Sequence, residues 1–61
     1  MTFRELRRLL KEDGWRKIRQ RGSHEIYRNT RKAGGLIVAG ADAKDVPVGI
    51  LQRTLRQAGL K

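Results

Sequence analysis

The sequence predicts an α+β domain of order α-β-β-β-α, a three-stranded antiparallel sheet with two helices packed on one of its faces. Three observations carry this reading. A capping box opens an apolar stripe of helical period at the amino end. A second helical stripe, entered through Pro47 and stopped by Gly59, closes the chain. Between the two lie short segments bounded by Gly14, Arg21-Gly22, a glycine-bearing stretch ending at Gly35, and Gly40, a punctuation that suits strands.

Each element follows from its residues. Thr2-Phe3-Arg4-Glu5 has the spacing in which the Thr2 hydroxyl accepts from the Glu5 amide while the Glu5 carboxylate accepts from the Thr2 amide. Phe3, Leu6, Leu9 and Leu10 then form one apolar face, with Arg4, Arg7, Arg8 and Lys11 pointing elsewhere, and Gly14 supplies the left-handed stop. Trp15 to Gln20 is the first strand, with Trp15 and Ile18 as its packing residues. After the Arg21-Gly22 turn, Ser23 to Arg28 is the second, Ile26 sharing a face with His24 and Tyr27 facing the other way. Asn29 to Gly35 has the composition of a turn or longer hairpin loop, and Leu36 to Ala39 is a short third strand. Gly40 to Asp45 is an irregular connection. Pro47 sits in the first turn of the closing helix, whose core face is Val48, Leu51, Leu55 and Ala58. The second face of the sheet is left open.

Composition bounds the function. A chain of 61 residues is one small domain, spanning 1–61, near the size where burial only just offsets chain entropy. Its 15 lysines and arginines against 6 acids give a net charge of +9, a footprint suited to phosphate backbones. The longest apolar run, Leu36-Ile37-Val38-Ala39, is too short to span a bilayer, and the opening residues lack the apolar core of a signal peptide. With no cysteine and one histidine, disulfides, thiolate sites and a zinc cluster are excluded. The chain reads as cytoplasmic, free of metal and small-molecule cofactor, and without a membrane partner.

His24 is the side chain to examine for chemistry. An imidazole with an unperturbed pKa near ~6.5 takes and returns a proton at neutral pH, and no other side chain here does so unperturbed. The plainer reading is a histidine that ends a hairpin in solvent. Around it, Lys17 and Arg19 on the first strand, Arg21 at the turn, Arg28 on the second strand and Arg31 and Lys32 beyond it form a cationic cluster, which binds phosphates or merely solvates a small basic domain. RNA is favoured over DNA because no segment reads as a recognition helix for a major groove. With Phe3, Trp15 and Tyr27 the only aromatics, base-specific stacking is weak.

Asp13-Gly14-Trp15, Arg19-Gln20-Arg21-Gly22-Ser23-His24 followed by Tyr27, Lys44-Asp45-Val46-Pro47-Val48-Gly49 and Leu55-Arg56-Gln57-Ala58-Gly59-Leu60 resemble, in order and over nearly the whole chain, the HicA family of toxins from bacterial toxin-antitoxin pairs. The resemblance implies a fold similar to double-stranded-RNA-binding domains, cleavage of messenger RNA, and a HicB antitoxin that holds the toxin inactive. It places the catalytic histidine of the Gly-Ser-His motif on His24. Many members carry a Pro-x-His segment after the third strand; this chain has Val38-Ala39-Gly40-Ala41-Asp42, so a second imidazole is absent.

A route these residues support is attack by the RNA 2′-hydroxyl on the adjacent phosphorus, with His24 moving the proton, a contribution worth about 10²- to 10⁴-fold. Arg21 and Arg28 are the first candidates to stabilise the pentavalent phosphorus, with Lys17, Arg19, Lys32 and Lys44 second. Gly22 lets the substrate approach the backbone and Ser23 donates a hydrogen bond, or both serve the turn, the role favoured for Ser23. The rival of another class is a non-catalytic RNA-binding module or RNA chaperone, in which His24 is an ordinary contact.

Overall fold

The computed structural model describes all 61 residues and has the expected order: α1 (Phe3–Glu12), β1 (Trp15–Arg21), β2 (His24–Asn29), β3 (Lys32–Val38) and α2 (Val48–Gln57). The strands form one antiparallel sheet in the order β1-β2-β3, with β1 and β3 at its edges. The capping box of α1 is closed: the Glu5 amide donates to Thr2 Oγ1 at 3.2 Å, and the Thr2 amide to Glu5 Oε1 at 2.8 Å. Gly14, at φ 100°, turns the chain out of the helix as only glycine does readily.

Both helices bury their apolar sides against one sheet face. Phe3, Leu6 and Leu10 of α1 meet Trp15, Tyr27, Leu36 and Val38 from the three strands, with Ala58, Leu51 and Leu55 from the α2 side. No helix is long and apolar enough to cross a membrane.

The register departs from simple alternation where tertiary pairing overrides local pattern. Ile18, expected to pack, is 60% exposed. Lys17 pairs with Tyr27 but Arg19 with Ile26, the next residue back, so Ile18 is the extra residue of a β-bulge. The third strand begins at Lys32, four residues before the expected Leu36. The glycine-bearing stretch is mostly strand because Asn29 closes a tight turn itself, its Oδ1 accepting from the Arg31 amide and its Nδ2 donating to the Asp13 carbonyl, both at 2.9 Å. In α2, Val48 is 72% exposed whereas Thr54 is buried. Val48 lies in the first turn beyond the edge of the core, and the buried Val46 just before the helix fills that place. Pro47 stands one position earlier than expected, as the residue that caps α2.

Gly40, the hinge between β3 and the loop to α2, lies against the Phe3 ring, and a Cβ built there overlaps ring carbons. Gly40→Ala should therefore destabilise by about 1–3 kcal/mol through overpacking. In a domain this small that lowers Tm by at least about 4 °C; an unchanged thermal melt would show that the ring moves aside freely.

Candidate nucleic-acid interface

The site is built on the β1–β2 hairpin. Its two-residue turn is Gly22-Ser23, with Gly22 at φ 60° and no positive φ at Ser23, the signature of a type II′ turn that demands glycine first. Gln20 Nε2 donates to the Gly22 carbonyl at 3.0 Å and steadies the tip. The turn sets Arg21 directly opposite His24. The His24 side chain is exposed and makes no hydrogen bond within the protein, which leaves the imidazole free for a ligand.

Directly paired residues share a sheet face. Tyr27 is buried among the helices, which places His24, Ile26 and Arg28 of β2 on the open face. Their partners Arg21, Arg19 and Arg16 on β1 join them, as do Gly35 and Ile37 on β3. The bulge decides this grouping. Unbroken alternation along β1 would put Arg16 on one face and Arg19 and Arg21 on the other; the extra residue at Ile18 brings all three together. Gly35 has its own part, since a Cβ there would stand 3.3 Å from Arg28 Cδ, so the Arg28 stem lies across the glycine.

The carboxylates are elsewhere. Glu5, Glu12 and Asp13 belong to α1 and its cap, Asp42 and Asp45 to the loop before α2, and Glu25 points to the helix side. The open face therefore carries arginines and an imidazole with no acid among them, and Arg16 sits directly across from Arg28. Like charges in that relation destabilise a sheet. No three His, Asp or Glu side chains gather into a cage for a metal ion.

The expected contact residues separate by position. Arg19, Arg21 and Arg28 share the open face with His24. Lys17 lies on the helix side, its Nζ 3.1 Å from Gln20 Oε1 and 3.8 Å from Glu25 Oε2. Lys32 is engaged internally: its Nζ donates to Asp13 Oδ2 at 2.6 Å and to the Ala58 carbonyl at 2.8 Å, a cation at the carboxyl end of α2. Lys44 is exposed in the loop after β3, which leaves the sheet at the end where Val38 pairs with Glu25. Arg16 was not among the expected contacts, because its alignment with Arg19 and Arg21 depends on the bulge.

Beneath His24, its neighbour Glu25 anchors β2 to α1. Arg7 Nε donates to Glu25 Oε1 at 2.8 Å, Arg7 Nη1 to Asp42 Oδ1 at 2.8 Å and Arg7 Nη2 to the Gly40 carbonyl at 2.6 Å, while the Tyr27 hydroxyl donates to Glu25 Oε1 at 2.9 Å. Burial opposes ionisation of Glu25, yet hydrogen bonds from Arg7 and Tyr27 and the charges of Arg7 and Lys17 hold its carboxyl below the ordinary glutamate value. Burial, then the bond to Glu25, pushes the Tyr27 phenol up.

A basic domain with an acid-free sheet face, one free imidazole and a tight glycine turn beside it is electrostatically suited to a polyanion. More narrowly, the family model for the HicA toxin of bacterial toxin-antitoxin pairs matches residues 3–60, and the chain belongs to that toxin family. Comparison with curated protein sequences gives no match.

Because the folded-state pKa of Glu25 is depressed, its stabilising contribution is complete above the unfolded value near ~4.3 and is lost as pH falls through the lower folded value. Urea midpoints for wild type should therefore drop between pH 6 and pH 3 more steeply than those of Glu25→Gln. Parallel curves for the two proteins would remove Glu25 from the acid limb.

Proposed function

We propose that the protein is a metal-independent endoribonuclease of the cytoplasm that binds and cleaves messenger RNA, with His24 as its proton-transfer residue, and that a HicB-like antitoxin silences it. The observation that carries this is the open sheet face, where the free His24 imidazole stands opposite Arg21 among arginines and no carboxylate. Membership of a toxin family supports a damaging activity held in check by a partner.

In the reaction, the imidazole takes the proton of a 2′-hydroxyl, and O2′ attacks the adjacent phosphorus. The P–O5′ bond breaks, and O5′ receives a proton from the imidazolium or from water. The products are a 2′,3′-cyclic phosphate and a 5′-hydroxyl. Arg21 and Arg28 stabilise charge on the equatorial phosphoryl oxygens, with Arg19 and Arg16 holding flanking phosphates. Drawing the nucleophile from RNA fits the carboxylates, which are committed to Thr2, Arg7 and Lys32 or dispersed. Without a second imidazole, catalysis is confined to what one proton carrier and a cationic face supply.

His24→Ala is expected to lose cleavage, by about 10²-fold or more, while circular dichroism is unchanged and RNA affinity stays within a few-fold. An oligonucleotide with a single 2′-deoxy sugar at the scissile position should resist cutting there, and excess EDTA should leave the rate unaltered. Retained cleavage in His24→Ala, or equal cutting of the 2′-deoxy substrate, would sink the mechanism. Wild-type protein that binds RNA tightly but never cuts it would assign the face to binding alone.

The same face suits the antitoxin. Ile18 and Ile37 stand out at 60% and 62% exposure, apolar side chains that RNA phosphates leave unused and that a protein with acidic residues around an apolar centre would cover. Ile37→Ser should weaken the antitoxin complex at least tenfold, as measured by calorimetry, and leave cleavage intact. Undiminished antitoxin affinity would place the inhibitor elsewhere.

A further inference from the structure

We propose that the groove between α1 and the β1 edge, on the helix side of the sheet, is a second phosphate track that takes the backbone of the same RNA after it passes round β1. The inference rests on the reading of the protein as an RNA-binding ribonuclease and extends its substrate to strands longer than the open face alone accommodates.

The groove has a volume of about 650 Å³ and is walled by six cations against two carboxylates. Glu25 and Asp42 both accept hydrogen bonds from Arg7, and the walls keep a net charge of four, carried chiefly by Arg4, Arg8, Lys11 and Arg16. Arg8 and Lys11 have no partner in the protein, and Arg4 makes only a 4.0 Å approach to Asp42 with three-quarters of its side chain exposed. Arg4, Arg8 and Lys11 recur at four- and three-residue intervals, forming one row along α1 about 10.5 Å long at 1.5 Å per residue. A strand laid along the row can set one phosphate against each of its three cations.

Arg16 joins this row to the catalytic face. Its backbone is on the open side opposite Arg28, yet its Nη1 donates to the Lys11 carbonyl at 3.1 Å, reaching round the edge strand to the end of α1. Arg16, paired with Arg28 on β2 and hydrogen-bonded to the end of α1, stands between the open face and the row of Lys11, Arg8 and Arg4. A peptide is the poorer occupant. The apolar side chains in the walls, Trp15 and Tyr27, are both buried and offer no anchor, whereas a polyanion needs only the charges.

The test measures binding of fluorescent 2′-O-methyl RNA, which resists 2′-hydroxyl chemistry, as a function of salt. RNAs of about sixteen and about four nucleotides are compared on wild type, on the triple variant Arg4→Gln/Arg8→Gln/Lys11→Gln and on Arg8→Gln. For the long RNA the triple variant should bind at least about tenfold more weakly, with a log-log salt slope shallower by about 2, three phosphates at ~0.7 each. Arg8→Gln should lose about 0.7 of slope, and its result decides the matter if circular dichroism shows the triple variant misfolded. The short RNA should bind all three proteins alike. Unchanged slopes for the long RNA overturn the track while leaving RNA binding by the open face intact. Equal weakening for the short RNA overturns it as a nonspecific charge effect, and so does a loss confined to the antitoxin complex, which would give the groove to a protein. Wild type that binds neither RNA overturns the RNA-binding reading itself, and the track with it.

Discussion

The Arg7 guanidinium ties three segments that have no local reason to meet. Its partners Glu25 and Asp42 lie 18 and 35 residues away in sequence, on β2 and in the loop after β3, and it also holds the Gly40 carbonyl. Arg7 stands at the margin of the apolar stripe of α1, its guanidinium carbon 5.7 Å from the Phe3 ring centroid, so the head lies over the ring while its nitrogens reach across to the sheet. A partly buried ion pair of this kind adds little net free energy over an apolar substitute. Removing one member, however, strands the other, and with it the Tyr27 hydroxyl that shares Glu25. Its geometry sets which way β2 presents its residues: with Glu25 held against α1, His24 must face the open side.

Charge segregation across the sheet follows from that arrangement. Carboxylates are drawn to the helix side, where Arg7 and Lys32 neutralise them, and the open face keeps its positive charge unrelieved. A surface evolved only for solubility mixes both signs. Here Arg19, Arg21 and Arg28 share one sheet face with no carboxylate to offset them, a cost to a 61-residue domain with nine buried apolar residues in its core. Local features that work against stability concentrate at functional sites, and this one surrounds the free imidazole.

Equal charge does not mean equal role. Lys32 is nearly as prominent in the sequence as Arg28, but its ammonium holds the end of α1, the start of β3 and the last carbonyls of α2 together through Asp13 and Ala58. The hydrogen bond from Lys32, together with its charge, that from Trp15 and the charge of Arg31, keeps the Asp13 carboxyl below its ordinary value despite partial burial. Such a lysine is a strut. Arg19, Arg21 and Arg28 on the open face have no such internal partner and remain available to a ligand.

The sequence by itself determined whatever depends on neighbours within a few residues. Thr2 and Glu5 start α1, the Phe3-Leu6-Leu10 spacing gives it a core side, Gly22 makes the hairpin tip, and the one histidine falls beside that tip among arginines. Only the tertiary structure decided the bulge at Ile18, the early start of β3, the exchange of Val48 for Thr54 in the core, the engagement of Lys32 and the pairing of Arg16 with Arg28 in register with the open face. Each is settled by a partner distant along the chain: Tyr27 and Ile26 set the β1 register, Asn29 reaches Asp13, and Lys32 finds the end of α2. Side-chain period along a strand is two, so one extra residue inverts every side chain beyond it. Whether that residue is extra is decided by the facing strand.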